Sequence, residues 1–368
     1  MISVKNLICP IAILTLLVCG CQEKKQMSEA TLSEEKLVSV IEPLFESDTV
    51  AHDSDDPAVW INPQDPAQSL ILGTDKDQNG GLYVFDLEGK VKKDKVVRGL
   101  QRPNNVDVEY GLMLGGKLTD IAVVTERFTH KLRIFSLPDM KPLDGGGIDV
   151  FVGETKEGER DLMGIGLYKN EAGKIYAIVG RKTGPTSGSY LWQYLLDDNG
   201  SGIVKASLVR KFGSYSGLKE IESIAVDDQL GFVYYSDEGK GVRKYFADPE
   251  KGNKELALFA TTGFTEDHEG ISIYKLTDST GYILVSDQGA NQFKIFDRLP
   301  DHDSSGMQRL LKTVKVKANH SDGSEMVSIS LNQNFKSGLF VAMSDNKTFH
   351  LYRWEDIAGK ELLKIRSK

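Results

Sequence analysis

The stretch FTEDHEGISIYKLTDSTGYILVSDQGANQFKIF, from Phe264 to Phe296, decides the fold. It reads as three short strands, β-branched and aromatic runs separated by Gly, Asp, Ser and Thr turns. Acidic residues open the first strand, at Glu266, Asp267 and Glu269. The second strand ends in the polar cluster Ser286, Asp287, Gln288 and Gly289. If the two strands pair antiparallel, the start of one lies beside the end of the other. Both clusters then sit at one end of a small sheet.

The same unit recurs six times. Its first part enters from a polar loop: DDPAVWI from Asp55, NNVDVEY from Asn104, MGIGLY from Met163, ESIAV from Glu222, EGISIY from Glu269 and EMVSIS from Glu325. Its second part leaves into a polar loop: LILGTDKD from Leu70, DIAVVTER from Asp120, KIYAIVGRK from Lys174, FVYYSDEG from Phe232, GYILVSDQG from Gly281 and GLFVAMSDN from Gly338. A third strand ends on Phe85, Phe135, Tyr194, Tyr245, Phe296 and Tyr352, spaced 50, 59, 51, 51 and 56 residues apart. A period near 50 with several strands per unit predicts an all-β fold, a six-bladed β-propeller of mostly four-stranded antiparallel blades. The aromatics read as packing between blades. Fourth strands are expected at KDKVVRG after Lys93, DVFVG after Asp149, KASLVRKFG after Lys205 and ELALFAT after Glu255, with Leu44 to Val50 supplying the outer strand of the sixth blade.

In such a ring the first strands line the axis, and the loops entering them share one face with the ends of the second strands. That face gathers Asp55, Asp56, Asp237, Glu222, Glu238, Asp267, Glu269, Asp322 and Glu325, together with Lys76, Arg127, Arg181, Lys182, Asn104, Asn105 and Gln288. Turns favour Asp for local reasons, which accounts for part of the set. It accounts less well for Glu222 and Glu269, which open inner strands at matching positions. Crowded carboxylates are relieved by raised pKa values or by bound cations. An all-oxygen donor set suits Ca²⁺ better than zinc. Lys76, Arg127 and Lys182 end second strands of three successive blades and read either as surface ion pairs or as a phosphate cradle. The six histidines are scattered, and His268 reads as a solvated loop residue.

The chain has 368 residues and a formal net charge of -8, without a basic block, which argues against nucleic acid as a partner. Cys9, Cys19 and Cys21 are its only cysteines. A short apolar run after Lys5 stops at Val18-Cys19-Gly20-Cys21, like a bacterial lipobox with Cys21 as the lipidated residue; an uncleaved anchor is the alternative. The expected organisation is a leader over 1–21, a flexible tether over 22–47, a propeller over 48–360 and a tail over 361–368. A lipid-anchored monomer of the cell envelope follows, touching the membrane through its lipid alone.

The motifs DDPAVW, GLYVFDLEGK, NNVDV, ESIAVDDQLGFVY, DHEGISIY and GYILVSDQG, in this order from Asp55 to Gly289, resemble the β-propeller phytases. The resemblance runs from about Asp53 to Trp354. It implies a propeller holding several Ca²⁺ ions that releases phosphate from phytate, taken as a calcium complex, by direct attack of water. By motif, Asp56, Glu222, Glu238, Glu269 and Asp322 would ligate Ca²⁺, and Lys76, Arg127 and Lys182 would contact phosphate, with Glu222 also in the catalytic set. Asp55 and Gln288 would support them. The chain departs from the family pattern at Met163, where the pattern has Tyr, and at Lys182-Thr183, where it has Lys-Glu. The rival readings are a Ca²⁺-dependent lactonase-type propeller and a non-catalytic propeller that captures phosphorylated or sugar ligands.

Overall fold

A computed structural model of the chain describes residues 39–300 and 307–362. The leader, Cys21 and most of the tether lie outside these residues. Frequent turns cut the described chain into short strands, which pair as six four-stranded antiparallel sheets. Blade 1 runs outward from the axis as Ser54–Trp60, Leu70–Asp75, Gly80–Phe85 and Val97–Leu100. The innermost strands of blades 2 to 6 are Pro103–Leu114, Leu162–Lys169, Ile224–Asp227, His268–Lys275 and Ser324–Val327. Each inner strand packs beside the next, and the sixth packs beside the first, so the ring is closed.

Six apolar clusters hold it, each shared by two neighbouring blades. The six repeated aromatics are all buried, and each packs into the cluster shared with the preceding blade. Burying one such side chain contributes roughly 1.5–3 kcal/mol. The three tyrosines also accept a loop N–H: Tyr194 from Phe151 at 2.8 Å, Tyr245 from Ser214 at 3.0 Å and Tyr352 from Ala318 at 2.9 Å.

Two local outcomes differ from the sequence reading. The outer strand of blade 2 stops at Ile148–Asp149, because Phe151 turns left-handed (φ 53°) and drops into the core, its ring 5.1 Å from that of Trp192. A helical segment, Trp354–Leu362, broken at Gly359 (φ 59°), follows the last strand, and Trp354 stacks on Tyr274 at 4.1 Å.

The N-terminal segment completes blade 6. Phe45–Glu46 pairs antiparallel with Thr348–Arg353, ahead of residue 48, and Val50 is buried and donates its N–H to the Lys347 carbonyl at 3.0 Å. Ile41 adds a bridge to Val316. Deleting residues 39–50 should therefore expose the last blade and lower the melting temperature by several degrees, since a loss of about 1 kcal/mol already moves a domain of this size by about 2–4 °C. An unchanged thermal scan would mean that this strand does not close the ring.

Candidate active site

Three consecutive residues at the end of each second strand divide the labour of building the mouth of the propeller. The first carries a hydroxyl in most blades and staples its blade to the next. Thr74 donates to the Asn104 carbonyl at 2.6 Å, Thr125 to Met163 at 2.7 Å, Ser236 to Glu269 at 2.8 Å and Ser286 to Ser321 at 2.8 Å. The second holds the loop that enters its own blade. Asp75 accepts from the N–H of Asp53 at 2.7 Å, Glu126 from Gln101 at 2.8 Å, Asp237 from Ser216 at 2.9 Å and Asp287 from Thr265 at 2.8 Å. In blade 3 the same task falls to Arg181, fully buried, which donates to the Glu159 carbonyl at 3.1 Å. The third residue is Lys76, Arg127, Lys182, Glu238, Gln288 or Asn346, so blades 1 to 3 bring cations and blades 4 to 6 bring an acid and amides.

The inner strands supply the rest through a shared irregularity. In blades 1, 2, 3 and 5 the pairing register shifts at the head of the inner strand, between Ser54 and Pro57, Pro103 and Val106, Leu162 and Ile165, and His268 and Ile271. A bulge of this kind re-aims side chains that strict alternation would turn away. It falls on Asp55-Asp56, Asn104-Asn105, Met163-Gly164 and Glu269-Gly270. Gly164 is needed there, since a Cβ would lie 2.2 Å from the Glu222 carbonyl oxygen.

Two charged groups result. On one side, Glu222, Glu238 and Glu269 are buried and each offers a carboxylate oxygen within 4.8 Å of the others. Glu238 Oε1 and Glu269 Oε2 have no hydrogen-bond partner. Burial, reinforced by the charges of Glu222, Asp267 and Glu220, pushes Glu238 up to about 9. Burial, then Glu238 and Glu222, also hold Glu269 well above the usual carboxylate range. On the other side, the Lys76 ammonium is ion-paired with Asp55, lies 3.3 Å from Asp322 Oδ2 and 3.9 Å from Glu222 Oε1. Burial works against its charge, but these three carboxylates outweigh burial and raise its pKa. Asn104, one of the amides expected on the shared face, joins the two groups: its Nδ2 donates to Glu222 Oε1 at 2.8 Å and to Asp55 Oδ2 at 3.4 Å. Gln288 donates to Asp322, and Arg127 reaches over Met163 with its Nε on the Leu162 carbonyl at 3.2 Å. Buried oxygens without donors, acidic and oxygen-only, are a donor set that fits a hard divalent cation.

The structure brings together Asp55, Glu222, Glu238, Glu269, Asp322, Lys76, Arg127 and Gln288. Lys182 stands farther out, 3.1 Å from Glu220. Asp56 sits at the top of the axial channel, where it accepts from the Val106 N–H at 3.0 Å, and Asn105 lies beside it. Glu325 faces that channel, a cavity of about 300 Å³, in company with Asp107 and Glu109. Asp237 and Arg181 are loop latches, and Asp267 pairs with Lys219. His268 is buried rather than solvated: its Nε2 contacts the Ala260 carbonyl at 2.6 Å and its ring stacks on Phe264.

The family model for phytase matches residues 5–361. The chain belongs to the phytase family. A curated relative, 3-phytase of Bacillus subtilis (strain 168), is 29% identical over 335 residues, covering 86% of this chain and 82% of that protein. Among solved structures the Dos1 propeller is similar over 82% of this chain and 67% of its own, with a TM-score of 0.40 and 11% identity. The latter likeness bears on neither the site nor the chemistry. For a phytase, a mouth with cations on one arc and buried acids on the other is the part of the surface to interrogate.

The buried acids make stability depend on pH. Burial pushes Asp107 up to about 7, Glu109 and Glu325 to about 8, and Glu238 to about 9. Between their ordinary values and these, the folded chain holds protons that the unfolded chain has released, so stability falls as pH rises. Chemical denaturation in chelator should give midpoints that fall steadily from about pH 5 to about pH 9, with a shallower fall for Glu109→Gln. A flat wild-type profile would contradict this reading of the buried acids.

Proposed function

We propose that this chain is a Ca²⁺-dependent phytase that releases phosphate from myo-inositol hexakisphosphate. One observation carries the reading: the buried carboxylates Glu222, Glu238 and Glu269, the last two each with an oxygen that lacks a donor, adjoin a basic arc of Lys76 and Arg127, with Lys182 at its outer end. Family membership supports the substrate class, and the all-oxygen donor set supports Ca²⁺ over softer metals. Glu222, Glu238 and Glu269 would hold a cation, with Asp322 and Asp267 as further carboxylates whose charge reaches the cluster, while Asp56, a ligand by motif, stands apart at the head of the axial channel. When bound, such a cation would neutralise the mouth and make a coordinated water more acidic.

The chain's own residues then have distinct tasks. Lys76 and Arg127 bind phosphate oxygens, Lys182 meets the outer edge of the ligand, and Asn104 holds Glu222 and Asp55 in place. Water is the nucleophile in this reading. Its oxygen bonds to phosphorus, the P–O ester bond breaks, and the departing inositol oxygen takes up the proton that the water releases. The hydroxyls nearest the mouth support this, because Thr74, Thr125, Ser236 and Ser286 all donate to backbone carbonyls and are engaged in holding blades together.

Phosphate release from myo-inositol hexakisphosphate should require Ca²⁺ and stop in chelator. Glu222→Gln should lower turnover by about a hundredfold or more while the melting temperature of the metal-free protein stays near wild type. Equal release with and without chelator would reject the metal requirement, and ligand binding without turnover would favour a capture protein. We also propose that Cys21 carries a lipid anchor in a bacterial cell envelope. The membrane fraction should contain the wild-type chain, and Cys21→Ser should move it to the soluble fraction; an unmoved variant would reject the anchor.

A further inference from the structure

Opposite charges side by side in a buried mouth should close into ion pairs, because an unpaired buried charge is costly. Lys76 does so, paired with Asp55 and 3.3 Å from Asp322 Oδ2, and Lys182 lies 3.1 Å from Glu220 Oε1. Arg127 does not. It is buried, and burial lowers its pKa while the charges of Glu222 and Asp55 work the other way. Those carboxylates are near enough to act on it. Yet among the described residues none lies within ion-pairing distance of its guanidinium.

What holds Arg127 back is the bulge at the head of blade 3's inner strand. Its Nε donates to the Leu162 carbonyl at 3.2 Å, and its Nη2 donates to the sulfur of Met163. Met163 is buried, and its own carbonyl accepts from the Thr125 hydroxyl at 2.7 Å, so the thioether is carried on a fixed backbone. The same sulfur meets the Nδ2 of Asn104 at 4.0 Å, and that nitrogen donates to Glu222 Oε1 at 2.8 Å. Met163 therefore stands between the guanidinium and the amide that holds Glu222. Its chemistry suits the place. A thioether accepts weakly and carries no charge, so it orients a guanidinium without neutralising it. It is also a poor ligand for a hard cation, so it leaves the oxygen donor set of the acid cluster unchanged.

We propose that Met163 is a positioning residue whose sulfur holds the Arg127 guanidinium off Glu222, leaving both side chains free for their ligands. That those ligands are phosphate and a cation rests on the proposed phytase reading; the positioning itself does not. Without the sulfur, Arg127 turns toward Glu222 and the two close into an ion pair. The basic arc then loses a donor and the acid cluster loses a carboxylate at the same time.

The test is a double-mutant cycle on stability, run in chelator and without substrate. Arg127→Gln, Glu222→Gln and the pair are made in wild type, Met163→Leu, Met163→Ala and Met163→Gln. Leu keeps most of the volume, Ala removes the side chain, and Gln restores an acceptor. In wild type the two shifts in melting temperature should nearly add. In Met163→Leu and Met163→Ala they should depart from additivity by about 2 °C or more, the mark of a new ion pair. Met163→Gln should return them to additivity. An ion pair that occupies about nine-tenths of the molecules weakens both ligands by about tenfold. KM for myo-inositol hexakisphosphate should therefore rise about tenfold in Met163→Leu with kcat little changed, and Ca²⁺ alone, titrated by calorimetry, should bind about tenfold more weakly. Additive cycles in every background, or the same coupling in wild type as in Met163→Leu, would overturn the inference; a purely packing role would lower the melting temperatures and leave the cycles additive. If wild type releases no phosphate, the phytase reading fails separately, and the cycle, which uses neither substrate nor metal, still decides.

Discussion

A hydroxyl-to-carbonyl hydrogen bond between neighbouring blades is the contact on which the mouth depends. It fixes the height of each inner strand against the blade before it, and the inner strands carry the acids. Where the staple is missing, at Gly180 of blade 3, the chains come closer instead: a Cβ there would lie 3.0 Å from the Ile221 carbonyl oxygen. At the closure the bond reverses direction, with Ser54 of blade 1 donating to the Ser344 carbonyl at 2.7 Å. Residues 246 positions apart in the chain, Lys76 and Asp322, thereby meet within hydrogen-bond distance.

The charge pattern of the mouth follows from the same frame. Each second strand ends with a latch and then a residue free to face the ligand. Since the latches are engaged with loops, they contribute little to the mouth itself. The outward residues are basic on one arc and acidic or amide on the other, and the inner-strand carboxylates crowd the acidic side. Burying these groups without enough partners works against folding. The propeller tolerates it because six interblade clusters bury a large apolar core around the ring.

The sequence revealed the architecture well and the site in part. The spacing of the six aromatics and the polar loop at each strand end identified the blades, because a repeat is a signal that does not depend on knowing contacts. The residues Lys76, Arg127, Glu222, Glu238, Glu269 and Asp322 were reached through the shared face and the family motifs. Arg181 and Asp237 were grouped with them because they are adjacent in sequence to Lys182 and Glu238. Only geometry separates the latch from its neighbour. Glu325 fell on the wrong side of a short inner strand and looks down the channel. The bulges that turn Asp55 and Asn104 to the mouth, and leave Asp56 and Asn105 at the head of the channel, break the period of two, so no alternation pattern could announce them. The shared face included Asn104, but its role between Glu222 and Asp55 and the burial of His268 were hidden for another reason: a neutral amide and an imidazole in polar loops look like ordinary turn residues until their burial is known.

The strand at Phe45–Glu46 gives the ring a temporal order. It is made first and used last, since its partner strand ends at Arg353. Until blade 6 exists, the segment has nothing to pair with, and the acids of blade 1 have no Asp322 across from them. Closing a loop of about 300 residues carries an entropic cost that grows only slowly with length, but the contact cannot form before the chain is nearly complete. The mouth is therefore a property of the finished ring. A chain without blade 6 lacks Asp322 beside Lys76 and leaves Phe45–Glu46 without its partner strand, so ligand binding would report on completion of the whole molecule.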